Sequence, residues 1–159
     1  MKRTLLVLIT SAVAIGACAT GGTRSGVDPN LDETRWRGDP RLYHMLLPYP
    51  ITAEQQDSVS VYASEHGEAT NYLLAEAAAD VHAPVVVRVN ALFVLAQRRA
   101  DTHMHVFRSA LDAEDVHIRA TAVAAMRQFA VTHPREAVGI ARMALSDSEG
   151  DVQAQALQV

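Results

Sequence analysis

The stretch EDVHIRATAVAAM, residues 114–126, sets Ile118, Ala122, Ala125 and Met126 at i, i+4, i+7 and i+8, the spacing of one face of a helix. It does not stand alone. Upstream, APVVVRVNALFVL (83–95) places Val87, Ala91, Val94 and Leu95 at the same spacings, and GDVQAQALQV (150–159) gives Val152, Ala156 and Val159. Aligned on their polar residue, Arg88, Arg119 and Gln153 fall in register, 31 and 34 residues apart. Three residues on come Ala91, Ala122 and Ala156, then Leu92, Val123 and Leu157. A small residue at that central position lets neighbouring helices approach closely.

Partner helices are expected between the copies. THMHVFRSALD (102–112) offers Val106, Phe107, Ala110 and Leu111, and HPREAVGIARMALSD (133–147) offers Val138, Ala141, Ala144 and Leu145. An earlier partner, EATNYLLAEAAAD (68–80), precedes the first arginine copy. Breaks fall between them at Gly67, Asp80 to Pro84, Asp101, Asp112 to Asp115, His133-Pro134 and Asp147 to Asp151. Helix pairs recurring at a period in the low thirties predict an all-α solenoid of antiparallel pairs over residues 52–159, about three pairs and an incomplete fourth. Thr52-Ala53-Glu54-Gln55 fits a capping box that opens the first helix. The last copy stops at Val159 with Val152, Ala156 and Leu157 still apolar, so a continuation beyond it is expected.

The recurring pattern of a β-branched residue, Arg and then Ala-Leu after an acidic turn resembles HEAT repeats, particularly their short bacterial class. The likeness covers roughly residues 83–159, with 52–80 as a divergent first pair. It implies that Arg88 and Arg119 sit at seams between repeats and hydrogen-bond to turn aspartates. Gln153 departs from that pattern at the last seam.

The N-terminus reads as an address. Lys2 and Arg3 precede an uncharged, mostly apolar run from Leu5 to Ile15, the layout of a secretory signal peptide over residues 1–17. That run is too short to span a bilayer, which takes about 20 residues. Ile15-Gly16-Ala17-Cys18 resembles the lipobox of bacterial lipoproteins. The resemblance implies that Cys18 becomes the first mature residue and carries a thioether-linked diacylglycerol and an N-acyl chain; two or more acyl chains anchor a protein stably where one does not. The other reading is plain cleavage near Ala17 or Ala19. Lipoproteins of Gram-negative bacteria that are kept at the inner membrane often carry aspartate after the cysteine, so for a Gram-negative envelope Ala19 leans towards the outer membrane facing the periplasm. Residues 18–51 are then a tether. ATGGTRSGVDPNLDETRWRGDPR (19–41) is rich in Gly, Pro, Asp and Arg, and LYHMLLPYPI (42–51), broken by Pro48 and Pro50, is expected to lie extended against the first helix.

Composition narrows function. The net charge of −4 gives no basic excess for nucleic acid. Without Lys2 and Arg3 the chain carries 12 Arg against 18 acidic residues, about −6, and has no electrostatic pull towards anionic lipid. Among the seven histidines, His66, His103, His105 and His133 fall in or near turns along one edge, while His82 and His117 lie near helix starts. Turns of stacked helices are about 10 Å apart, too far to share an ion, and His103-x-His105 has no accompanying Cys or HExxH pair. Ser58, Ser60, Ser64 and Ser109 have no GxSxG setting, Glu114-Asp115 reads as a cap, and Gly21-Gly22 lies in the tether rather than in a phosphate loop. No catalytic residue, cofactor or metal is expected. The expected function is a lipid-anchored envelope module that binds a protein or peptide or holds an assembly together, with an accessory enzyme subunit or a small-ligand binder as the alternative. Arg98, Arg99, Arg127 and Arg142, beside Glu76 and Glu136, are the expected exposed surface.

Overall fold

The computed structural model describes residues 38–159, and these are helical with no strand among them. Eight α-helices follow in order among the described residues: α1 (Pro40–Leu46), α2 (Ala53–His66), α3 (Glu68–Ala79), α4 (Val85–Gln97), α5 (Met104–Ala110), α6 (Val116–Phe129), α7 (Pro134–Ala144) and α8 (Gly150–Ala156). A single 3-10 turn, Asp101–His103, leads into α5.

The starts and stops are written in local chemistry. The capping box at Thr52 forms in full: Gln55 N–H donates to Thr52 Oγ1 at 3.3 Å and Thr52 N–H donates to Gln55 Oε1 at 2.8 Å. Asp115 caps α6 by accepting from His117 N and Ile118 N. Pro134 stands at the first position of α7, where its missing N–H costs nothing. Gly67 ends α2 at φ +58, a backbone state that glycine reaches without strain, and its N–H bonds Ala63 O before α3 begins at once.

The repeated face is the core. Val87, Ile118 and Val152 are fully buried, as are Ala91 and Ala122 one turn on. α4 packs against α6, and α6 against α8; α3 lies on α4 and α5, and α7 lies on α6 and α8. Phe107 of α5 meets Phe129 of α6 at 5.5 Å between ring centroids. The third copy departs from the first two, because Leu157, in register with the buried Leu92 and Val123, is 79% exposed.

Two local expectations change. The segment 42–51 is not extended throughout: Asp39 caps a short helix, accepting from Arg41 N–H at 2.8 Å, and Pro40 fixes its first φ. Leu42, Tyr43 and Leu46 of that helix are buried against α2 and α4. The carbonyl of its last residue, and that of Pro48 just beyond it, find a donor in Asn90 of α4, whose Nδ2 lies 2.7 Å from Leu46 O and 2.8 Å from Pro48 O. The phase of α7 also differs. Ala137, Ile140, Ala141 and Ala144 face inward, while Val138 and Leu145, expected inside, are exposed. Ala137 and Ile140 complete the stripe through Ala141 and Ala144, and Val138 falls at its flank, turned towards solvent.

Candidate functional site

The aligned residues Arg88, Arg119 and Gln153 make three different sets of bonds, and the sequence around each decides which. Arg119, near the start of α6, donates from Nη1 to the carbonyls of Ala113 (2.9 Å) and Glu114 (2.7 Å) in its own turn. Its Nε and Nη2 reach across to Asp147, in the α7–α8 turn, at 2.7 and 3.0 Å. The pair is two-pronged and only 12% exposed on either side chain. Hydrogen bonding to the arginine holds the Asp147 carboxyl below the ordinary carboxylate range, and the same bond raises Arg119.

Gln153, 34 residues on, keeps the first half of this arrangement. Its Nε2 donates to Asp147 O at 2.6 Å, and Asp147 O is the counterpart of Ala113 O. An amide has no second prong, so it makes no matching ion pair. Arg88 lacks the partner instead. The residue in register with Asp147 one copy earlier is Ala113, which offers no carboxylate. Arg88 Nε turns back to the end of α3 and donates to Ala78 O at 3.1 Å.

A second polar cluster joins α1 to α2. Tyr62 donates its hydroxyl to Asp39 Oδ2 at 2.9 Å, and Arg41 Nη2 lies 3.1 Å from the same oxygen. The guanidinium also sits 5.4 Å from the Tyr62 ring centroid, and the His66 ring stacks on the same Tyr62 ring at 4.1 Å. His66 Nδ1 lies 2.8 Å from Tyr62 O. The side-chain bond from Arg41 lowers the Asp39 carboxyl, and burial together with the Asp39 bond raises the Tyr62 phenol.

The surface residues separate into bonded and free. Arg98 Nε donates to Asn71 Oδ1 at 2.6 Å, and Arg127 Nη1 donates to Gln155 and Gln158 at 2.8 and 3.0 Å, so both are half-buried structural links rather than open side chains. Arg99, Arg142, Glu76 and Glu136 are exposed, as expected. Along α7, Pro134, Arg135, Val138, Gly139 and Arg142 line a shallow groove of about 330 Å³. Sequence reasoning passed over Arg135 and Gly139 because it turned Val138 inward. His103 and His105 stand 6.1 Å apart, ring to ring, and His133 Nε2 lies 3.1 Å from Asp101 Oδ2. No group of three His, Cys, Asp or Glu is placed to hold a metal among the described residues.

Ile15, Gly16, Ala17 and Cys18, with the leader and the tether to residue 37, lie outside the described residues. No helix among the described residues is long and apolar enough to cross a membrane. Compared with family profiles, curated proteins and solved structures, the chain finds no match.

Proposed function

We propose that the chain is a bacterial lipoprotein, anchored through a lipid on Cys18, whose helices form a HEAT-like solenoid that serves as a protein-binding or scaffold module in the cell envelope. In this reading α4, α6 and α8 make one layer, and α3, α5 and α7 return antiparallel to them as the other. The observation that carries it is the matched burial of Val87, Ile118 and Val152 on successive, mutually packed helices. Helices stacked in that way leave an extended surface of many side chains in place of a single deep pocket. The polar seams bond protein to protein, and the charged residues left free line outer faces, which suits macromolecular contact better than catalysis.

Two measurements test the two halves. Growth with a labelled fatty acid should label the wild-type chain and leave Cys18→Ala unlabelled; label on both, or on neither, overturns the anchor. Crosslinking in intact envelopes followed by mass spectrometry should recover a defined protein neighbour. A chain that crosslinks to nothing while binding a small molecule in solution sinks the scaffold reading.

A further inference from the structure

Two exposed helix faces complement each other in charge, spacing and relief. The first is the groove on α7. Arg135 and Arg142 flank Val138 and Gly139 there, about 10 Å apart along the axis. Neither arginine has an ion pair or hydrogen-bonding partner among the described residues, which they share with Arg99 and Arg108, whereas Arg41, Arg88, Arg98, Arg119 and Arg127 all have one. Glycine is poorly suited to a helix interior. A Cβ at Gly139 would meet nothing within 4 Å, so the fold gives no steric reason for its absence. What the missing side chain does provide is close approach from outside.

The second face is on α2. Asp57, Val61 and Glu65 follow at four-residue steps, all exposed, and no arginine or lysine occurs between Ala53 and His66; the cation nearest the face is Arg41 of α1, which interacts with Glu65 at its end but is already paired to Asp39. Asp57 and Glu65 lie about 12 Å apart along the axis, close to the spacing of the two arginines. Ser60 and Ser64 stand beside them with their hydroxyls donated back to Gln56 O (2.8 Å) and Val61 O (2.7 Å), so both donors are already satisfied. Val61 is 60% exposed and Val138 is 44% exposed, a bare apolar residue at the middle of each face.

The faces lie at opposite ends of the packing series, since α2 rests on α1 and α3 while α7 rests on α6 and α8. We propose that copies of this chain associate head to tail, α7 of one on α2 of the next, with Arg135 and Arg142 paired to Asp57 and Glu65 around Val138, Gly139 and Val61. Such a contact is heterologous: each copy keeps its other face free, and the contact repeats into a ring or an open row. The proposal goes beyond a general interaction module by naming a second copy as the occupant, and it does not depend on the lipid.

Sedimentation of the purified full chain in density-matched detergent, over a wide concentration range and at low and high salt, tests it. The wild type should form concentration-dependent oligomers that salt dissolves. Arg135→Glu/Arg142→Glu and Asp57→Arg/Glu65→Arg should each weaken self-association by roughly tenfold or more, and an equimolar mixture of the two should restore it, because every contact is then again between opposite charges. Gly139→Leu, which has room in the isolated molecule, should keep its helicity and melting temperature yet lose association. A wild type that stays monomeric throughout overturns the proposal, as does a mixture of reversed variants that fails to reassociate. Titrating a monomeric wild type with poly-glutamate would then show whether the α7 face takes a different, acidic partner; tight binding there would assign the face to that partner and not to α2.

Discussion

Arg119 grips Asp147 with both prongs, Nε to Oδ2 at 2.7 Å and Nη2 to Oδ1 at 3.0 Å, and so ties the start of α6 to the turn between α7 and α8. The same Asp147 Oδ1 accepts from Glu149 N at 2.9 Å, so one carboxylate both closes the turn and meets the helix behind it. Asp147→Ala should lower stability by about 2 kcal/mol, since it leaves Arg119 Nε and Nη2 without their acceptor in a largely buried place, with only Nη1 still bonded, and opens the turn. Arg119→Gln should cost less than Arg119→Ala, because Gln153 shows that an amide at this position still reaches the turn carbonyl. Urea unfolding of the three variants checks the order; equal losses for Gln and Ala would mean that the ion pair alone matters.

Acid should loosen this protein through two carboxyls. Asp147 and Asp39 are both held below their ordinary range, chiefly by hydrogen bonds from Arg119 and Arg41. A carboxyl whose pKa is lower folded than unfolded contributes its full stabilisation above the unfolded value, and loses it as pH falls through the folded one. The melting temperature should therefore hold level from neutral pH to about 5 and drop below about 4. Asp39→Asn/Asp147→Asn should start lower at pH 7 and fall less steeply in acid. An unchanged acid slope in that double variant would place the sensitivity elsewhere.

Asn90 fastens α1 to the rest of the molecule. It is 2% exposed, and its amide nitrogen is the shared donor for Leu46 O and Pro48 O. Asn90→Ala should cost about 2–3 kcal/mol, from two carbonyls left without a donor and from the cavity. Asn90→Asp should cost more, because a carboxylate would face the same two oxygens. Hydrogen exchange is the direct check: α1 amides should lose protection in Asn90→Ala before those of α6 do.

The residues that carry the helical period were the most legible part of the sequence, and the reason is burial on one side only. Ile118, Ala122 and Val123 sit in such a one-sided stripe on α6, and Val87, Ala91 and Leu92 hold the same spacing on α4 although that helix is also buried at Val89, Val94 and Ala96; all six are buried. The capping box at Thr52 was legible because its two bonds are local. α1 was not, since a seven-residue helix has no room for a period and Pro48 and Pro50 dominated the reading of its surroundings. Its one local signal was Asp39-Pro40, a cap followed by proline at the first helical position. The inward face of α7 was misread because small Ala137 competes poorly with Val138 in any hydrophobic count, although the alanine is what fits between packed helices. The α7 groove went unseen for the same reason. That Arg88 and Arg119 bond to turn aspartates is implied by the likeness alone and does not say which aspartate; Arg119 finds Asp147, and Ala113 in the corresponding place explains why Arg88 has no such partner.

Thr70 of α3 is fully buried, and its hydroxyl has no hydrogen-bonding partner among the described residues. Burying a hydroxyl without a partner costs about 1–3 kcal/mol, so the native side chain works against the fold at this point. Thr70→Val keeps the shape and removes the unpaired oxygen, and should raise stability by about 1 kcal/mol. Thr70→Ala also removes the oxygen but leaves a space, so it should gain less or break even. Thermal melts of the two variants decide the matter. If Thr70→Val melts below the wild type, the hydroxyl has a partner in solution, and water at that position would be the first place to look.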